Sequence, residues 1–191
     1  MGDDQHGLSL IAGVQIYHPG QEYSRYYRLI ALIILIAIFI VVAMQSIWKL
    51  RVAAERTHVA WMAGAMQSAI GLEIATRAVK GGLAEIAKLD RSNPLELLEN
   101  HKRPMMGAYS FVGELDNPDP AEIAPRSWYF DTRSRELVYR VAMTDAFITD
   151  LEGPARVRFA LKGRYQGKGR NRHLNNITLI ELDRYRWIET E

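Results

Sequence analysis

Apolar and polar positions alternate differently in three stretches of this chain, and each stretch predicts a different element. From Leu29 to Met44 the sequence LIALIILIAIFIVVAM is apolar at every position, with no charge, Gly or Pro. Extended through Gln45, Ser46, Ile47 and Trp48, the run reaches about twenty residues and roughly 30 Å of helix, which matches the hydrocarbon thickness of a bilayer. Tyr26 and Tyr27 precede it and Trp48 closes it, where interfacial aromatics belong. The pattern predicts a transmembrane helix over 29–48, carried by Leu29, Ile33, Ile36, Phe39, Val42 and Trp48. A buried core helix rarely shows an apolar residue on every face. A cleaved signal peptide needs a small-residue site after a shorter run, and only the late pair Ala53-Ala54 offers one. Arg25 and Arg28 stand before the span and Lys49, Arg51 and Arg56 after it, so charge alone does not orient it.

In the second stretch the periodicity becomes helical and amphipathic. No Pro interrupts residues 29–93, and the segment from Lys49 to Leu89 is rich in good helix formers. The helix is therefore expected to run on as a stalk over 49–100. Ala65, Ser68, Leu72, Ala75, Val79, Leu83 and Ile86 recur at three- and four-residue steps. Of these, Leu72, Val79, Leu83 and Ile86 form the predicted packing stripe. Gly81 and Gly82 predict a kink or break. The helix should stop before Pro94, with Ser92 or Asn93 capping a short second helix through PLELLEN.

The third stretch has strand periodicity. Pro, Gly and Asp dominate 102–126, with one short strand expected near Tyr109 to Val112. Ser127 to Asp131 and Glu136 to Met143 predict a hairpin turning through Thr132–Arg135, with Trp128, Tyr129, Phe130 and Tyr139 packing it. Arg156 to Tyr165 alternates basic and apolar residues, and Ile177 to Trp187 closes the set across the loop GKGRNRHLNN. The fold class predicted is α+β: a long N-terminal helix, transmembrane then amphipathic, packed on a small antiparallel sheet. The organisation predicted is an N-terminal tail (1–28), the span (29–48), the stalk (49–100) and the sheet domain (101–191).

Composition adds mainly exclusions. With 24 basic and 22 acidic residues the net charge is +2, without the bias typical of nucleic-acid binders. The chain has no cysteine, which excludes disulfides, thiolate nucleophiles and Cys-based zinc sites. Histidines 6, 18, 58, 101 and 173 are scattered without ligand spacing and read as surface or boundary residues. No serine sits in a G-x-S-x-G context and no phosphate loop follows a strand, so no enzyme activity, cofactor or small-molecule substrate is expected. Glu114, Asp116, Asn117 and Asp119 are calcium-type ligands, but Pro118 and Pro120 interrupt any EF-hand spacing and favour a solvated acidic loop. The basic run Arg156, Arg158, Lys162, Arg164, Lys168, Arg170, Arg172 and His173 reads as the polar face and turn of a hairpin, suited to a protein or acidic-lipid contact more than to nucleic acid.

The order of features resembles the type IV pilin and type II secretion pseudopilin superfamily. The residues that carry the resemblance are AAERTHVAWMAGAMQSAIGLEIATRAVKGGLAEIAKL, then SNPLELL, then GELDNPDPAEIAPRSWYFD and ELVYRV, within residues 29 to 142. The resemblance implies a single pass through the bacterial inner membrane and a periplasmic domain after about residue 49. Its implied partners are the bilayer, other pilin-like subunits and inner-membrane assembly proteins. One departure bears on processing. The junction SRYYRLIALIILIAIF has neither the glycine before the apolar run nor the acid at its fifth position that family precursors carry. The resemblance therefore implies an uncleaved, permanently anchored accessory component. The competing expectation is an extracytoplasmic sensory or ligand-binding domain on a helical stalk, which would need a concave pocket with convergent polar groups.

Overall fold

The computed structural model of the chain describes residues 20–99, 109–167 and 173–188. Most of the predicted tail, three of the histidines (His6, His18, His101) and the tip of the basic loop (Lys168, Arg170, Arg172) lie outside the described residues. The chain forms two compact units, one ending at Ser46 and the other running from Ile47 to the C-terminus. Helix α1, Gly20–Ala87, belongs to both. In the first unit every described side chain from Arg25 to Ser46 is exposed. Among the described residues, α1 is the one helix long and apolar enough to cross a membrane.

In the second unit α1 packs against a small, mostly antiparallel sheet, as the α+β expectation has it. The helix breaks where the paired glycines predicted it: Gly82 adopts φ 66° and ψ −151°. Arg77 closes the break, with Nε on Glu73 Oε1 at 2.7 Å and Nη1 on the Glu85 carbonyl at 3.2 Å. That combination of φ and ψ is accessible essentially to glycine alone. Gly82→Ala is therefore expected to lower stability by about 1–3 kcal/mol, read as a lowered melting temperature. An unchanged melting temperature would mean that the strained geometry is dispensable.

After Ala87 the turn is tied to the sheet. The Arg91 amide donates to the Leu161 carbonyl at 2.9 Å, and the Asp90 carboxylate accepts from the Gly163 amide at 2.8 Å and the Tyr165 hydroxyl at 2.9 Å. A side chain at 163 would crowd this turn, because a Cβ there would stand 2.9 Å from the Tyr165 ring and 3.2 Å from the Asp90 carboxyl carbon and would force them to shift. Helix α2, Pro94–Glu99, starts as expected, with the Asn93 side-chain oxygen accepting from the Leu95 amide at 3.0 Å.

The strands are β1 (Ser110–Leu115), β2 (Ser127–Asp131), β3 (Glu136–Arg140), β4 (Phe147–Thr149), β5 (Arg156–Gln166), β6 (His173–Glu181) and β7 (Tyr185–Trp187). Five of them form one sheet in the order β1-β2-β3-β5-β6, while β4 and β7 pair separately. One correction concerns direction, since β1 runs parallel to β2 and only the remaining pairs are antiparallel. A parallel neighbour needs a crossover longer than a hairpin turn. The acidic, Pro-rich segment 116–126 supplies it, turning at Asn117 and Arg126, both with positive φ. A second correction concerns the long final strand expected over Ile177 to Trp187, which ends at Glu181 and resumes as β7 on a different partner.

Trp128, Phe130, Leu137, Tyr139, Val157, Phe159, Leu161 and Leu179 form a single cluster with Val59, Met62, Met66, Ala69 and Ile70 of α1. This cluster corrects the predicted stripe. Of its four residues only Ile86 is buried, whereas Leu72 and Leu83 are about half exposed and Val79 is 89% exposed.

Candidate functional site

The helix turns a different set of residues to the sheet: Val52, Glu55, Val59, Met62, Met66 and Ala69, at steps of three and four. Glu55 is the charged member of this set, and it is 1% exposed. A buried carboxylate is tolerated only where donors replace its water. Oε1 accepts from the Tyr139 hydroxyl and the Ala142 amide, both at 2.7 Å, and Oε2 accepts from the Met143 amide at 2.9 Å. The acid therefore locks the helix to the end of β3. Burial and the adjacent Glu55 push the Tyr139 phenol well above its ordinary range, so the hydroxyl keeps its proton and donates.

One turn further on, His58 lies flat on Tyr109, with ring centroids 3.4 Å apart and planes 3° from parallel. Its Nε2 accepts from the Trp128 indole N–H at 3.1 Å. Burial lowers its pKa to about 4, so at neutral pH the ring is an acceptor. An unfolded chain takes up this proton near pH 6.5, and the folded chain only near pH 4. Between those values the unfolded state binds more protons, so stability is lost as the pH falls through the window. The ring is only partly buried and therefore partly screened, so the loss expected is of order 1 kcal/mol. Melting temperatures at pH 7 and pH 4.5 would measure it. His58→Gln should flatten the difference, and an unchanged slope would assign the acid sensitivity elsewhere.

Carboxylate, imidazole and phenol thus lie together, but each polar atom that faces another is engaged in holding helix to sheet. His58 Nε2 is occupied by the Trp128 indole N–H rather than by a nucleophile. The arrangement is a lock.

The other candidate chemistry is dispersed. Glu114 accepts from the Asn93 side chain at 3.0 Å, and Asp119 caps its own turn through the Ala121 amide at 2.8 Å. Among the described residues no group of three or more His, Asp or Glu is placed to hold a metal. The described part of the basic run is likewise divided. Arg158 is clamped between Asp183, at 2.6 and 2.7 Å, and Glu136, at 3.1 Å, while Arg156 bonds the carbonyls of Glu152 and Pro154.

What remains open is the opposite side of α1. Leu50, Trp61, Leu72 and Val79 are each at least half exposed. At 100° per residue they fall within an arc of about 40°. Between them lie Ala54, Ser68 and Ala75, flanked by Gly64 and Gly71, all exposed. The charged residues of this stretch are Arg51, Glu55, Arg56, Glu73 and Arg77. Each lies roughly 80° or more from the centre of the arc. Residues 57–72 carry no Asp, Glu, Lys or Arg at all. The Ser68 hydroxyl bonds back to the Gly64 carbonyl at 3.0 Å, so it needs no partner outside the helix. Leu72 and Val79 of the predicted stripe therefore lie on this open strip, while Ile86 joins the core, because both sides of the helix repeat at three and four residues.

No protein-family model, curated protein or solved structure matches the chain.

Proposed function

We propose that this chain is a membrane-anchored structural component of a pilin-like or pseudopilin-like assembly of the bacterial inner membrane, joined to related subunits through the open face of α1. The observation that carries this reading is the uncharged strip from Leu50 to Val79, on a helix whose opposite side is already buried on its own sheet. Contiguous apolar surface of this length on one side of a folded domain marks an interaction site. Large residues alternating with Gly, Ala and Ser allow a second helix to approach closely, as ridges entering grooves. Anchored in one membrane through the apolar run before Trp48, such helices would stand side by side.

The polar cluster at Glu55 and His58 supports a structural role, since its donors and acceptors satisfy one another. The lack of a glycine and an acid at the head of the apolar run supports an accessory that stays anchored, and the resemblance to pilin-like proteins supports a domain on the periplasmic side.

A C-terminal reporter active only in the periplasm tests the placement, and a photoreactive residue at Trp61 tests the contact. The expected result is an active reporter, together with a cross-link to a pilin-like subunit or to an inner-membrane assembly protein. An inactive reporter would sink the reading, as would cross-links confined to lipid and to proteins of other kinds.

A further inference from the structure

Where α1 ends against the sheet, a polar cleft of about 360 Å³ is lined by Lys88, Asp90, Arg91, Ser92 and Arg135. The backbone brings its two arginines together. In the antiparallel register of β3 with β5, Leu137 stands opposite Phe159, so Arg135, just before the strand, falls opposite Leu161. There the Arg91 amide donates to the Leu161 carbonyl at 2.9 Å. Arg91 and Arg135 thus reach the same point of β5 from two different turns.

Both arginines stand where the backbone favours glycine. Arg91 has φ 63° and Arg135 has φ 62°, in the left-handed region that a side chain enters at a cost. Arg91 follows the end of a helix, where a left-handed residue is usually glycine. Arg135 closes the hairpin turn, its amide donating to the Asp131 carbonyl at 2.8 Å, and glycine is the usual residue there too. Both side chains are exposed, and neither guanidinium makes a hydrogen bond or ion pair among the described residues. Two unfavourable backbone positions, neither offset by a side-chain contact, therefore converge on one cleft.

The rest of the lining is already engaged. Asp90 turns both carboxylate oxygens to β5, Oδ1 to the Gly163 amide at 2.8 Å and Oδ2 to the Tyr165 hydroxyl at 2.9 Å. Lys88 is held by Glu85 at 2.6 Å, and the Ser92 hydroxyl donates to the Leu89 carbonyl at 2.9 Å, so the site depends on neither. What the cleft offers a ligand is two guanidinium groups, each a planar fork of N–H donors suited to the oxygens of an anion. Two cations against Asp90 leave a net attraction that grows with the charge of the ligand, and a phosphate dianion has oxygens for both forks, where a carboxylate has only two. We infer that this cleft binds a phosphate group carried by a small molecule, gripped between Arg91 and Arg135. Inorganic phosphate and a phosphate monoester share this chemistry, and both are largely dianionic at pH 7.5. Every residue of the site belongs to the second unit, and none belongs to the apolar span or to the open strip of α1.

The test uses the full-length protein in detergent, titrated calorimetrically at pH 7.5 and low ionic strength with inorganic phosphate, glycerol 3-phosphate and acetate in turn. Saturable binding of the first two is expected, with acetate at least about 10-fold weaker. Tighter binding of glycerol 3-phosphate than of phosphate would identify an ester as the ligand, and the reverse order the free ion. Arg91→Gly with Arg135→Gly should weaken phosphate binding at least about 10-fold. Because glycine suits both backbone positions, the same double variant should melt no earlier than the parent protein, which separates loss of a ligand from loss of the fold. Lys162→Gln with Arg164→Gln, on an exposed part of β5 outside the cleft, should leave binding unchanged. Absence of saturable phosphate binding, acetate binding as tight as that of phosphate, or full binding by the glycine variant would overturn the site. An equal loss in the β5 variant would also overturn it and assign the anion to the basic hairpin. A glycine variant that melts earlier would show the two side chains to be holding the fold, which equally overturns the inference.

Discussion

Glu55→Ala is expected to destabilise the folded domain by about 3–5 kcal/mol. The carboxylate accepts three hydrogen bonds in a place that water does not reach, so its removal strands the Tyr139 hydroxyl and the amides of Ala142 and Met143 together. Tyr139 is fully buried and cannot turn to solvent for a new partner. Glu55→Gln keeps an acceptor but turns an amide donor toward groups that are themselves donors, so an intermediate loss of about 1–3 kcal/mol is expected. Tyr139→Phe removes one donor and leaves the carboxylate with its two backbone amides. In a double-mutant cycle the Glu55 and Tyr139 replacements should be strongly non-additive, because each single change already removes their shared hydrogen bond. Denaturant unfolding followed through the fluorescence of Trp128, one of the chain's tryptophans, would measure the series, with Trp61→Phe and Trp187→Phe as a simplified background. A loss below about 1 kcal/mol for Glu55→Ala would show that the site is hydrated and that the lock has little energetic weight.

The local devices of this fold were legible in the chain. Paired glycines marked the break at Gly82, Pro94 with Asn93 marked the restart of the helix, and Thr132–Arg135 marked the hairpin between β2 and β3. Each depends on residues close together in sequence, where backbone preference decides the outcome. Pairings over long separations were not legible. The parallel placement of β1 is set by packing, and the three-residue strands β4 and β7 are too short to show a period. The packing side of α1 was ambiguous for a different reason. Val52, Val59, Met62 and Met66 repeat as regularly as Leu50, Trp61, Leu72 and Val79, and periodicity does not say which set faces the sheet. Glu55 held the missing signal. The charged residue in step with Val52 and Val59 sits on the side where Tyr139 of β3 and the amides of Ala142 and Met143 just beyond it supply three donors. His58 gave no such sign, since its partner Trp128 is seventy positions away.

The strip left open by that choice gives the second large effect, because fold and assembly should respond to it in opposite directions. Leu72→Glu changes an exposed side chain, so its effect on the folded domain should stay within about 0.5 kcal/mol. Burying the new carboxylate against an uncharged helix costs several kcal/mol, enough to reduce association more than about 100-fold. Gly64→Ala is the sharper companion. A Cβ at position 64 meets nothing within 4 Å in this protein, so the change should stabilise the helix by about 1 kcal/mol and raise the melting temperature. The same methyl group would hold a neighbouring backbone away, so the yield of cross-link from position 61 should fall. A variant that melts later and assembles less cannot be dismissed as misfolded. If Gly64→Ala and Leu72→Glu both leave the cross-link yield unchanged, the open face of α1 is not the joining surface, and the strip has some other cover. If both lower it while the melting temperatures move as stated, the helix has two working sides: one that Glu55 fastens to the sheet, and one kept free of charge for a neighbour.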